Sequence, residues 1–184
     1  MTRVWLIIVT GLPCTGKTDL GQRIAREFQL PFVNKYGIKE LLFDRLGWKD
    51  DDWSKKLGLA SYDLLGYFVA SLLAVGRSLV VESNFKAVED SPRFLALKQR
   101  FDFEPLQILC HADGETLLQR FQARIGQRHP GHVDDLIYER LEPVLLQGRS
   151  APLDIGGQVI KVDTTDFAAI DYAGLFKAIE STIR

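Results

Sequence analysis

The chain has 184 residues, a formal net charge of -1 and 46% hydrophobic residues. That much apolar content excludes a disordered chain, and the balanced charge argues against a broad nucleic-acid surface, so any anion site must be a local cluster. Cys14 and Cys110 show neither metal-ligand spacing nor a disulfide framework. No signal peptide is visible and no segment reads as long enough to span a membrane, which makes a cytoplasmic enzyme or switch the default expectation. The length suits one domain, 1–184, carrying a small lid.

The first element is a continuous apolar strand, about Val4 to Thr10, of the kind buried in a parallel sheet. It runs into Gly11-Leu12-Pro13-Cys14-Thr15-Gly16-Lys17-Thr18, which fits G-x-x-x-x-G-K-[ST], the phosphate-binding loop. A helix follows, about Lys17 to Phe28, with Leu20, Ile24 and Phe28 at helical spacing. Gly11 and Gly16 permit backbone angles that turn successive N–H groups inward around a phosphate. The helix start adds unpaired N–H groups and a positive dipole end. Lys17 can reach the β- and γ-phosphates, and the Thr18 hydroxyl can bind Mg²⁺. The alternative is a plain glycine turn between strand and helix.

Residues 31–34 read as strand two and Ile38 to Leu46 as a helix with Leu41, Leu42 and Leu46 inward. Residues 47–58 read as a loop or short broken helix, and Asp50-Asp51-Asp52 as a solvated acidic corner or a cation-facing cluster. Ala60 to Val75 reads as a long helix whose apolar face is Leu64, Leu65, Phe68, Leu72 and Leu73. Residues 78–81 form strand three, ending at Glu82. A helix from Pro92 to Arg100 follows, with Ser91 as a candidate N-cap. Strand four spans 106–109, a helix 113–126, a break Pro130-Gly131, a helix 133–146 with Pro143 inside, strand five 158–163 and a last helix 168–183.

Strands alternating with helices indicate an α/β protein with a parallel sheet covered on both faces. Ligands of such sheets sit beyond the carboxyl ends of the strands. That rule gathers Gly11–Thr18, Asn34–Tyr36, Glu82–Phe85, the segment after Leu109, and Asp163–Asp166. Arg120, Arg124 and Arg128 recur every four residues on one helix stripe without interleaved acids. Beside a phosphate loop they form an anion clamp for the charge that develops in phosphoryl transfer; alone they would read as a solvated face. His129 and His132 flank the break and read as hinge residues or as ligands of phosphate or acceptor. Glu82 is open to three roles: holding Mg²⁺ through water, acting as base, or ordering the next loop. Thr165, in Asp163-Thr164-Thr165-Asp166, sits where backbone groups can frame a base, or in a helix-capping turn.

These motifs resemble the small AAA-type phosphate-loop kinases of the zeta-toxin/chloramphenicol-phosphotransferase-like group, near the nucleoside monophosphate kinases. The resemblance rests on residues 11–18, 31–47, 80–85, 120–132 and 162–167 and covers nearly the whole chain. It implies a three-layer α/β/α P-loop NTPase fold with a five-stranded parallel sheet in the order 2-3-1-4-5 and a small helical lid at about 120–135. It also implies ATP with Mg²⁺, transfer of the γ-phosphoryl group to a hydroxyl of a small-molecule acceptor, Arg124 and Arg128 as lid arginines, and Arg120 at the lid stem. Lys17, Arg124, Arg128 and Glu82 are then the candidate catalytic residues.

One departure stands out. Relatives of this kind end strand two in Lys-Asp, whereas this chain has Lys35-Tyr36. A tyrosine of ordinary pKa, ~10, is a poor base at neutral pH. Glu82, Asp44 or a loop acid takes that part, or the acceptor needs little help, or the protein is a nucleotide-binding regulator without phosphotransfer. The acceptor pocket is expected between 37–75 and 85–100, with Phe43, Trp48, Trp53, Phe85 and Phe94 as candidate walls.

Overall fold

A computed structural model describes residues 3–184. Five strands, β1 (Trp5–Gly11), β2 (Phe32–Asn34), β3 (Leu79–Glu82), β4 (Glu104–His111) and β5 (Gln158–Asp163), pair in parallel in the order β2-β3-β1-β4-β5. The expected sheet order is therefore present. Alternate residues of β1 explain the layering. Leu6 and Ile8 face one side, with Leu79, Val81, and Leu65, Val69 and Leu73 of α3 (Asp51–Ala74) and Phe94 of α4 (Ala87–Arg100). Ile7 and Val9 face the other, with Leu20 and Ile24 of α1 (Lys17–Glu27) and Leu175 and Ile179 of α7 (Tyr172–Ile183). Both faces of the central strand are buried, which is why its sequence is apolar without alternation.

The register brings the functional rim together. Glu82, the last residue of β3, pairs with Val9 of β1 and with Asn34 of β2, while Gly11 pairs with Cys110 and His111 with Asp163. Beyond that rim lies a third apolar cluster, Leu12, Ala112, Leu117, Phe121 and Leu145. It seats α5 (Gly114–Arg124) and α6 (Asp134–Leu145) beside the loop after β1.

Several elements differ from the sequence reading. Residues 51–58 are not a loop: α3 begins at Asp51, and Asp50 caps it, its Oδ1 accepting from Trp53 N at 2.8 Å. Asp50, Asp51 and Asp52 therefore sit at the positive end of a helix dipole, where acids are stabilising. The longer α3 also corrects the expectation about spans: it is long and apolar enough to cross a membrane. Here a row at every fourth position, Leu57, Ser61, Leu65, Val69 and Leu73, is buried within the fold. Leu64 and Phe68, expected inward, are exposed. In α2 (Lys35–Leu46) the buried residue is Phe43, whereas Leu41 is 64% and Leu46 57% exposed. The helix starts three residues earlier than expected, capped by Asn34 through Gly37 N. Helix α4 likewise starts before Pro92, and Ser91 is internal to it, its hydroxyl bonding Ala87 O.

Candidate active site

The phosphate loop links the end of β1 to α1. Gly16 has φ +71° at the helix N-cap, and a Cβ there would stand 2.5 Å from the Phe167 ring. Only glycine satisfies both the left-handed backbone and the aromatic neighbour. Cys14 also takes a left-handed conformation, φ 68°, which a side chain adopts only under constraint. Thr15 Oγ1 donates to Leu12 O at 2.9 Å, turning these two residues into the loop's own scaffold. Pro13, Cys14, Gly16, Lys17 and Thr18 line a cavity of about 650 Å³.

Lys17 is buried, and its Nζ donates to Leu12 O at 3.3 Å. Burial lowers its pKa, and the Glu82 carboxylate opposes that shift. Glu82 is fully buried; desolvation raises its pKa, against Lys17 and the Thr18 hydrogen bond. Thr18 Oγ1 donates to Glu82 Oε2 at 2.9 Å, while Glu82 Oε1 is buried without a hydrogen-bond partner. A hydroxyl and a carboxylate with a spare oxygen, at the foot of the loop, are the hard oxygen donors that Mg²⁺ requires. Among the described residues no cluster of three or more His, Cys, Asp or Glu offers a separate metal site.

The three arginines converge on the same cavity. Arg120 Nη2 donates to Thr165 O at 2.8 Å, and its guanidinium lies 3.8 Å from the centre of the Phe167 ring. Thr165 itself does not reach the cavity: its hydroxyl accepts from Asp113 N at 3.0 Å, and Phe167 lines the wall in its place. Asp166 caps the short turn Phe167–Ala169, as the capping alternative expected. Arg124 Nε and Arg128 Nη1 lie 3.4 Å and 3.5 Å from the same oxygen, Asp134 Oδ2. Asp134 is buried at the start of α6, following Val133 in an unfavourable left-handed conformation, φ 49°. Sequence reasoning missed Asp134 and Phe167. A cap-like acid after the break and an aromatic after Asp166 were the available signals.

Tyr36 stands between the loop and the arginines. Its ring centre is 5.9 Å from Lys17 Nζ and 5.0 Å from the Arg128 guanidinium. Its hydroxyl accepts from Asn84 Nδ2 at 2.8 Å, and burial pushes its pKa above the ordinary tyrosine value. The segment Pro130–His132 closes onto α2 and α3. His129 stacks on Phe43 at 5.0 Å, Ser54 Oγ donates to Gly131 O at 2.8 Å, and a Cβ on Gly131 would meet the Phe43 ring at 2.6 Å. His132 Nε2 lies 2.9 Å from Arg128 Nη2 and 2.8 Å from Glu40 Oε1. Burial first, then the surrounding cations, hold its pKa far below the usual histidine range, so the ring is neutral and its tautomer selects one partner. Asp44 pairs with His129 at 3.3 Å and lines neither the phosphate-loop cavity nor its neighbour. None of the five aromatics expected as acceptor walls lines the phosphate-loop cavity or its neighbour. Phe85 and Phe94 pack on each other in the core, Phe43 is buried against Gly131, Trp53 Nε1 bonds Gly47 O, and Trp48 is exposed at a third hollow beside Arg128 and His129.

The family model described as AAA domain matches residues 6–143. This chain belongs to the AAA domain family. A crystal structure of a candidate kinase from Chloroflexus aurantiacus matches the whole chain over its own whole length, with 39% identity and a TM-score of 0.92. Kti12 from Chaetomium thermophilum, solved with ADP-AlF3, shares the AAA-domain chain's fold at a TM-score of 0.65, with 17% identity over 97% of this chain and 99% of its own. A gluconokinase from Sinorhizobium meliloti does so at 0.52, with 16% identity over 99% of this chain and 92% of its own. No curated protein matches the chain by sequence.

Proposed function

We propose that this AAA-domain protein is an ATP-dependent phosphotransferase that moves the γ-phosphoryl group of ATP to a hydroxyl of a small-molecule acceptor. The observation that carries this reading is the convergence of Lys17, Arg124 and Arg128 on one cavity floored by the phosphate loop. A finer place beside the zeta-toxin and chloramphenicol-phosphotransferase kinases rests on the motifs quoted above.

Each residue then has a task. The loop amides of residues 11–18 cradle the phosphates, and Lys17 meets their charge. Arg124 and Arg128 face the oxygens of the transferred group, where charge develops, and Asp134 orients both guanidiniums. Thr18 and Glu82 would hold Mg²⁺, which supplies charge neutralisation when bound. The stacked Arg120–Phe167 pair offers a flat surface for a purine. In the transfer the acceptor oxygen bonds to Pγ as the bridging P–O bond breaks; ADP leaves with the electron pair, and the hydroxyl proton passes to solvent. Tyr36 is too weakly acidic to serve as a base, Glu82 lies beneath the loop, and Asp44 is outside the cavity. A loose transition state needs little proton abstraction in advance, so positioning and charge carry the rate.

The test is ADP formation driven by hydroxylated compounds. Lys17→Ala abolishes it. Arg128→Ala lowers kcat by roughly 10²–10³-fold, the scale of one lost transition-state donor, with ATP affinity held within about threefold. An effect on affinity alone overturns the clamp. The second reading, a nucleotide-binding regulator, is favoured by the missing strand-two aspartate. It predicts nucleotide binding with no phosphorylated product.

A further inference from the structure

A second cavity, about 540 Å³, adjoins the first. Tyr36 lines the phosphate-loop cavity, Asn84 and His132 line the neighbour, and these three touch: Asn84 bonds the Tyr36 hydroxyl, and the Tyr36 and His132 rings lie 5.4 Å apart. The wall between the cavities is thus two side chains thick, Tyr36 on one side and Asn84 or His132 on the other. The volume is that of a small-molecule site.

The charges of the second cavity do not balance. Its rim cations are paired: Lys55 and Arg140 with Asp51, at 2.6 Å and 3.2 Å, and Lys86 with Glu89 at 2.9 Å. Asp90, whose Oδ2 accepts from the backbone N–H of Lys86 at 2.7 Å, offsets part of the charge of Lys35. Lys35, Lys39 and Arg93 have no carboxylate within 4.0 Å among the described residues. Lys35 Nζ and the Arg93 guanidinium instead approach the same ring, Tyr62, at 4.7 Å and 5.0 Å, and Lys39 Nζ donates to Ser54 Oγ at 2.8 Å. Lys35 and Lys39 are one helical turn apart and only partly exposed; burial lowers the pKa of both, that of Lys39 to about 8. Asp90 and Asp51 only partly offset these three unpaired cations, which leaves an excess of positive charge that a bound anion relieves. At the wall, Asn84 donates to the Tyr36 hydroxyl at 2.8 Å, while its Oδ1 is buried without a partner.

We propose that this cavity receives the acceptor, and that the acceptor carries an anionic group, a phosphate ester or a carboxylate, held by Lys35, Lys39 and Arg93. Its reacting hydroxyl lies at the Asn84–Tyr36 wall, the side nearest the phosphate-loop cavity. The role as acceptor rests on the phosphotransferase reading; the affinity for an anion does not.

The test is titration calorimetry with matched sets: glycerol, glycerol 3-phosphate and glycerate; ribose, ribose 5-phosphate and ribonate. Each is titrated into protein saturated with magnesium and a non-hydrolysable ATP analogue, which blocks the phosphate loop, and again into nucleotide-free Lys17→Ala. In at least one set an anionic member binds about tenfold or more tightly than its neutral parent, and the stronger arm tells phosphate from carboxylate. Lys35→Gln with Arg93→Gln weakens that binding about tenfold while the affinity for the ATP analogue stays within about threefold, which also reports an intact fold. Where the double variant does not fold, exposed Arg93→Gln alone carries the test. Neutral members binding as well as anionic ones, unchanged binding in the variant, or no anionic member binding overturns the proposal. Anion binding in a protein that binds no ATP analogue leaves the cavity standing and removes the kinase.

Discussion

Tyr36 presents its ring to two cations, Lys17 at 5.9 Å and Arg128 at 5.0 Å, and its hydroxyl accepts from Asn84. Tyr36→Phe therefore keeps kcat within about threefold, because the ring remains. Tyr36→Asp places a carboxylate beside both cations and lowers kcat about tenfold or more. Loss of turnover in the phenylalanine variant would make the phenol an acid–base group; a gain in the aspartate variant would show that the native site lacks an effective base. Asp134→Asn frees both lid arginines, so kcat falls while ATP affinity changes little. Lys39 tests the charge cluster through stability. Its folded pKa, about 8, lies below its ordinary 10.5. The folded state resists the proton, so the penalty is complete below about pH 8 and fades as pH rises toward the unfolded value. Lys39→Met therefore raises Tm at neutral pH, and the gap from the native protein closes by about pH 10.5, the end of that window. At this scale the phosphate loop was legible because its residues are consecutive. Asp134, Phe167 and the grouping of Arg93 with Lys35 and Lys39 were not, because folding brings them in from different elements; only Lys35 and Lys39 share a helix, one turn apart.

At the scale of elements, the clearest lesson is α3. The stretch Gly47–Gly58 reads as polar and broken, yet Asp50 caps a helix there and Ser54, four residues later, ties that helix to the lid. A cap and a tertiary tether convert an apparent acidic corner into the helix N-terminus. Asp50→Ala removes the cap and costs about 1 kcal/mol, or a fall in Tm of about 2–4 °C in a chain of this size, with activity retained. An unchanged melting curve would mean that the cap contributes nothing. The amphipathic elements α1, α5 and α6 were legible because their periodic apolar residues share one face. Helix α2 was not: its apolar residues are spread around the axis, so no stripe marks Phe43 as the one turned inward or Leu41 and Leu46 as exposed.

Across the whole molecule, the parallel sheet places every strand end at one rim, and the two cavities open there side by side. The alternation of strands and helices made that rim legible before any coordinates, and the sheet order came with the family resemblance. The central claim is that the rim grips a nucleotide triphosphate and hands on its last phosphoryl group. Calorimetry with magnesium and a non-hydrolysable ATP analogue tests it most directly, on the native protein, Lys17→Ala and Arg128→Ala. The native protein binds the analogue, Arg128→Ala binds it with near-native affinity, and Lys17→Ala loses it. No heat from the native protein with any purine triphosphate, or equal affinity in Lys17→Ala, would contradict it.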